Sequence, residues 1–271
     1  MEVTNLLLLG APRSGTTLLA TMLSRHSEIV VLNEDRGWAM RRVLGKPVVG
    51  NKRCVPNQIE MRKRPILHFR FLKSMGLAME YQSSQFGIED YLKLPNLKVI
   101  GLIRNGSDVV SSIMKRSEKT FRVAAYRWCR AIEVLHELRS RIPQSLLVVS
   151  FESLVANPKV NMQSVATFLN VEYQDRMLEG PQYNPWYPEP GMNLEKVNRT
   201  ENDIYKLPER FPHVYRQYEQ LLLQCPASVI SPANRVEEGK MDVAYRTILG
   251  AILALDCQVE FVSGIVGTMF G

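Results

Sequence analysis

The stretch Gly10-Ala11-Pro12-Arg13-Ser14-Gly15-Thr16-Thr17 has the residue types and spacing of a phosphate-binding loop. Gly10 and Gly15 stand where G-x-x-x-x-G-K-[ST] places its glycines, and Thr17 where it places its hydroxyl. The lysine is missing: position 16 is Thr16, and the loop's cation is Arg13. Backbone N–H groups and the start of the following helix make an anion nest without any lysine. Lysine matters where a γ-phosphoryl group moves with magnesium. Its absence argues against kinase or ATPase chemistry and favours a nucleotide with one anionic group at its 5′ end and no metal. A second polar group follows: Arg104 after the run LKVIGLI, Ser112 eight residues on, and Arg116 four beyond that. Ser112 and Arg116, at i and i+4, share one helix face, with Val109, Val110 and Ile113 toward the other side. Arginine forks bind phosphate oxygens bidentately, so Arg104, Ser112 and Arg116 can converge on a second phosphate.

These residues need strands and helices to hold them. NLLLLG, a short apolar run ending at glycine, reads as a buried strand feeding the loop. TTLLATMLSRH carries Leu18, Leu19, Met22 and Leu23 on one helical face. EIVVLNE is a strand-like run ending at Asn33 and Glu34. Residues 40 to 96 are basic, Met-rich and broken by Pro47, Pro56 and Pro65, and they give no clear element. LKVIGLIR is a buried strand, and GSDVVSSIMKR a helix with Ser107 as its N-cap. FRVAAYRWCRAIEVLHELRSRI is a long amphipathic helix, and SLLVVSFE another buried strand. PKVNMQSVATFLN is a helix opening after Asn157, with Pro158 in its first turn. PQYNPWYPEPGMN, residues 181 to 193, reads as a loop. Strands alternating with helices predict an α/β fold around a parallel sheet.

The chain has 271 residues, 45% of them hydrophobic and 23% charged, with a formal net charge of +7. That is ordinary for a globular protein and suits an anionic ligand. Its basic residues are scattered, and no zinc-finger or RNA-binding signature appears, which counts against nucleic acid as a partner. Cys54, Cys129, Cys225 and Cys257 are far apart and read as reduced thiols of a cytoplasmic protein. Leu6 to Leu9 is too short for a signal peptide's apolar region, and no stretch reaches the length of a membrane span.

PRSGTT resembles the 5′-phosphosulfate loop of sulfotransferases that use 3′-phosphoadenosine 5′-phosphosulfate (PAPS). The strand, Arg104, helix and Ser112 resemble the arrangement with which that family binds the 3′-phosphate. SFESLVANP is similar to a third stretch of the family, in which an aromatic residue ends a strand beside the nucleotide; Phe151 stands where many members have tyrosine. The resemblance covers roughly residues 5 to 210. It implies a P-loop-like three-layer fold with a central parallel β-sheet flanked by helices. One domain is expected over residues 1–235, followed by an apolar tail, 236–271, for which packing on the core, a dimer contact and a membrane surface are the alternatives, in that order. PAPS would be held by Arg13, Ser14, Gly15, Thr16, Thr17, Arg104, Ser112, Arg116 and Phe151 without a metal.

Sulfuryl transfer needs a base for the acceptor proton and cations for the leaving phosphate. Many cytosolic sulfotransferases use histidine. Of His26, His68, His136 and His213, only His68 is retained here as an alternative base. HSEIVVLNEDR resembles the tyrosylprotein sulfotransferases and their bacterial relatives, which implies Glu34 as base, with Asp35 a lesser candidate. Burial is expected to raise the Glu34 pKa toward the working range. GNKR resembles the segment whose lysine steadies the bridging oxygen, which implies a role for Lys52. LEKVNRT is similar to a segment that closes over the cofactor, which implies contacts from Lys196 and Asn198. Arg36, Trp38, Tyr183, Trp186 and Tyr187 are expected to line the acceptor pocket, within the variable region 36–96 and the loop 181–193. The expected acceptor is a small molecule of specialised metabolism, with peptide tyrosine or carbohydrate as alternatives. A P-loop kinase with a degenerate loop and a non-catalytic nucleotide-binding module remain the competing readings.

Overall fold

The computed structural model describes residues 2–35, 43, 45–59, 86–183 and 205–226. All of them fall in one compact unit, Met1–Ile230. Strand β1 (Thr4–Gly10) leads through the glycine loop into helix α1 (Thr16–Ser24), followed by β2 (Ile29–Asn33) and β3 (Val48–Cys54). The short helix α2 (Ile88–Leu92), β4 (Leu97–Ile103), α3 (Gly106–Ser117) and the long α4 (Phe121–Arg141) come next. The chain continues through β5 (Leu146–Ser150), α5 (Phe151–Ala156), α6 (Pro158–Leu169) and a 3-10 helix (Asp175–Tyr183). Helices α7 (Leu207–Arg210) and α8 (Pro212–Leu222) complete the described part.

The five strands form one parallel sheet in the order β2-β3-β1-β4-β5. The expected three-layer α/β architecture is present. Leu6 and Leu8 of β1 join Ile100 and Leu102 of β4 in a core with Leu19, Met22 and Leu23 of α1 and Met162, Val165 and Leu169 of α6. On the other face α4 lies over the sheet, with Leu135 against Gly101. Leu6 to Leu9 are essentially inaccessible. A strand buried on both faces reads as a continuous apolar run, which is why β1 is legible. Each such leucine contributes about 2 kcal/mol.

Four local details differ from the sequence reading. The N-cap of α3 is Asn105, not Ser107: the Asn105 side chain accepts from the Asp108 N–H at 3.3 Å, and Ser107 already lies inside the helix. The strand read as SLLVVSFE stops at Ser150, whose hydroxyl caps α5, so Phe151 and Glu152 open a helix. The start of the loop at 181 is the end of the 3-10 helix. β3 lies in the segment that gave no clear element; it is wholly buried although Asn51, Lys52 and Arg53 run through it. Its polar residues find partners rather than water, as the site shows.

Candidate active site

Brought together at the carboxyl edge of the parallel sheet are the ends of all five strands. In an open α/β sheet, ligands bind there, where the strand order turns back on either side of a central strand. β1, flanked by β3 and β4, is that strand. From its end comes the glycine loop, from β2 Glu34, from β3 Lys52, from β4 Arg104 and from β5 Phe151.

The loop is shaped by two positive backbone angles, Arg13 at φ 73° and Gly15 at φ 96°. Gly15 needs its lack of a side chain twice: for that angle, and because a Cβ would meet Phe151 Cδ2 at 2.4 Å. Ser14 is buried and donates its hydroxyl to the Ala11 carbonyl at 2.8 Å, which closes the turn. Thr16 is buried and Thr17 half-buried in the first turn of α1, where amide N–H groups are available to an anion.

The second motif meets the first directly. Arg13 Nε donates to Ser112 Oγ at 3.1 Å, across 99 residues of sequence. Arg104 donates to the Arg13 carbonyl at 3.2 Å and pairs with Asp108 at 3.3 Å. Its guanidinium lies 4.3 Å from the centroid of the Phe151 ring. Where a tyrosine would bring a hydroxyl, Phe151 thus offers a ring face to a cation. The buried Arg104 Nε has no hydrogen-bond partner. Glu152, half-buried, accepts from the Asn105 N–H at 2.9 Å and from the Ser150 hydroxyl. Burial pushes its carboxyl pKa up. Arg116 stands one turn beyond Ser112, exposed.

Glu34 and Lys52 form the third part. Lys52 Nζ is 2.6 Å from Glu34 Oε1; the lysine is buried and the glutamate 43% exposed. Glu34 departs from ordinary strand geometry, with φ 61°. Cys54 connects this pair to the loop: its Sγ lies 4.0 Å from Thr16 Oγ1 and close to Lys52. The expected upward pKa shift of Glu34 is not found. Burial alone would raise it, but hydrogen bonds from Lys52 and Gln58, with the charges of Lys52 and Arg53, outweigh burial and hold the carboxyl below its ordinary range.

Among the histidines, His26 is structural: its Nε2 is 2.7 Å from the Glu172 carbonyl, and its Nδ1 accepts from the Glu28 N–H. His136 contacts Gln220 and His213 contacts Gln217, both on the surface. His68, Arg36, Trp38, Trp186, Tyr187, Lys196, Asn198 and the tail 236–271 lie outside the described residues. The Tyr183 backbone ends the 3-10 helix, and its side chain is outside them too. Sequence reasoning passed over Asn51, Arg53, Gln58 and Asp108. The available signal was the polar triplet Asn51-Lys52-Arg53 between apolar neighbours, which reads as surface unless its burial is known.

A family model described as the sulfotransferase family matches residues 88–175, the span containing Arg104, Ser112, Arg116 and Phe151. Over that span the chain is similar to the sulfotransferase family. Its relatives include a protein-tyrosine sulfotransferase of Drosophila melanogaster, 25% identical over 237 residues, covering 73% of this chain and 44% of the relative. Protein-tyrosine sulfotransferase 2 of Gallus gallus is 26% identical over 220 residues, covering 73% of this chain and 58% of the relative. The chain therefore spans about half the length of the curated relatives it matches. A sulfotransferase domain from the curacin biosynthetic pathway shares the fold with a TM-score of 0.56 at 15% identity, over 83% of this chain and 99% of that one. The strands beside β1 end in cations: β3 ends Lys52-Arg53-Cys54 and β4 runs into Arg104, where a magnesium-dependent P-loop enzyme needs a carboxylate.

Proposed function

We propose that this protein is a PAPS-dependent sulfotransferase acting on a hydroxyl or an amine or amide nitrogen of a small-molecule acceptor. The observation that carries the reading is the 3.1 Å bond from Arg13 to Ser112. It joins the loop suited to a 5′ anion with the helix suited to a 3′-phosphate, so one nucleotide with an anion at each end can span both. The residues present fit such a ligand. The start of α1 has no side-chain cap on its backbone N–H groups, and Arg104 keeps a buried N–H unpartnered beside the loop. When bound, PAPS supplies an activated sulfuryl group and a phosphate leaving group.

The chain's own part is positioning and charge. Arg13, Arg104 and Ser112 would hold the anionic ends, and Lys52 would steady the negative charge that develops on the leaving oxygen. Glu34 takes the proton of the acceptor. Its resting carboxylate is ionised and ready to accept. When Lys52 turns toward an anionic donor, Glu34 loses the contact that holds its proton affinity down, and the affinity rises. The test is incubation with PAPS and a panel of phenols, alcohols, amines, sugars and a tyrosine peptide, read by mass spectrometry. Sulfated small molecules support the proposal. Nucleotide binding with no product across the panel favours a non-catalytic module. A second acceptor class, peptide tyrosine, is favoured by the named activity of the curated relatives, and product on the peptide alone would select it.

A further inference from the structure

We propose that Asn51 and Arg53 are positioning residues that clamp the Glu34-Asp35 turn and so aim the Glu34 carboxylate at Lys52. The inference rests on Glu34 being the base of the reaction proposed above. All four polar backbone atoms of Glu34 and Asp35 are bonded to three consecutive residues of β3. The Glu34 N–H donates to the Lys52 carbonyl at 2.9 Å. The Glu34 carbonyl accepts from Arg53 at 3.2 Å. The Asp35 N–H donates to Asn51 Oδ1 at 3.1 Å, and its carbonyl accepts from Asn51 Nδ2 at 2.8 Å and from Arg53.

Both side chains are themselves held. Arg53 is 2% exposed and donates also to the Gln58 carbonyl. Asn51 is fully buried and donates to the Tyr91 hydroxyl at 2.7 Å. Burial pushes that phenol up to about 12, so it stays neutral across the working range. Burying an arginine costs desolvation free energy, which its hydrogen bonds to carbonyls offset in part. What it fixes is a non-glycine residue at φ 61°. Such an angle persists only where the surroundings over-determine it, and it gathers at functional sites. With the turn held, the Glu34 carboxylate meets Lys52 at 2.6 Å and a hydrogen bond from Gln58, within the field of the Arg53 charge.

Two substitutions separate aim from charge. Asn51→Ala removes no charge, and Arg53→Lys keeps one while losing the fork. The Glu34 carboxyl is followed by carbon NMR of protein labelled at glutamate, its signal assigned by loss in Glu34→Gln. In the wild type it is expected to titrate below the ordinary carboxylate range. Each variant is expected to move that titration upward and to cut turnover by about tenfold or more, as small misplacements of a catalytic group do. Affinity for adenosine 3′,5′-bisphosphate is expected to stay at the wild-type level. Should either variant fail to fold, Tyr91→Phe, which removes one oxygen behind Asn51, gives a smaller change in the same direction. Folded variants with unchanged Glu34 titration would overturn the clamp. Full turnover by Glu34→Gln, or a wild type inert toward every acceptor, would instead overturn the role of Glu34 as base, while the titration still decides the clamp.

Discussion

At 2.6 Å from the Lys52 ammonium, the Glu34 carboxylate gains more from its partners than it loses to burial. The acidic limb of kcat/KM, which reports the free enzyme, is therefore expected below the ordinary carboxylate range. Lys52→Ala removes a hydrogen bond and a charge that lower the pKa and leaves the burial that raises it. The limb should move upward, and the rate should fall about a hundredfold, the loss typical of one transition-state donor. A pH profile of the two proteins checks both. The same pair links to folding: a depressed carboxylate stabilises the native state above its unfolded pKa, and that share is lost as pH falls through the folded value. Arg104 acts at the other end. With donors on Arg13 and Asp108 and a further buried N–H, it is expected to bind phosphate rather than take part in proton transfer. Arg104→Ala should weaken adenosine 3′,5′-bisphosphate about 10- to 100-fold by calorimetry, the worth of charged hydrogen bonds, and should leave the pH limb in place.

Among the elements, the loop between β1 and α1 has little room. A Cβ at Gly15 would enter the Phe151 ring, and the backbone angle there suits glycine alone. Gly15→Ala is expected to lower stability by about 1–3 kcal/mol and to abolish nucleotide binding, read by melting temperature and titration together. Loss of stability with binding intact would show that the loop tolerates rearrangement. Helix α3 is started by Asn105, whose own N–H donates to the Glu152 carboxylate. Asn105→Ala should cost about 1 kcal/mol in urea unfolding and weaken nucleotide binding with it, because Arg104 and Ser112 flank that cap.

For the molecule as a whole, the strand ends gather Arg13, Lys52 and Arg104 at one edge from segments far apart in sequence. Adenosine 3′,5′-bisphosphate should therefore stabilise the folded protein in the presence of a metal chelator. At a hundredfold excess over Kd the gain is about 2.7 kcal/mol, visible as a thermal shift. ATP with magnesium is expected to give a smaller shift, because no carboxylate ends the strands beside β1; the reverse order would favour a P-loop kinase. Among the described residues no helix is long and apolar enough to cross a membrane.

The sequence by itself determined the parallel sheet's apolar strands, the glycine loop, and the order of Arg13, Glu34, Arg104 and Ser112 along the chain. Doubly buried strands and phosphate loops have local signatures, since backbone shape and hydrophobicity are carried by neighbouring residues. Only the tertiary structure decided that β3 exists with Asn51, Lys52 and Arg53 inside it. Polar residues can be buried when distant groups satisfy them, and those groups, the Glu34 and Asp35 backbone and Tyr91, are not visible in the triplet itself. The sign of the Glu34 shift was settled in the same way. Burial argues for a rise, and the opposite result comes from cations placed beside it by a strand that pairs with β2. The contact of Arg13 with Ser112, between residues 99 apart, likewise arises from the neighbouring positions of β1 and β4 in the sheet.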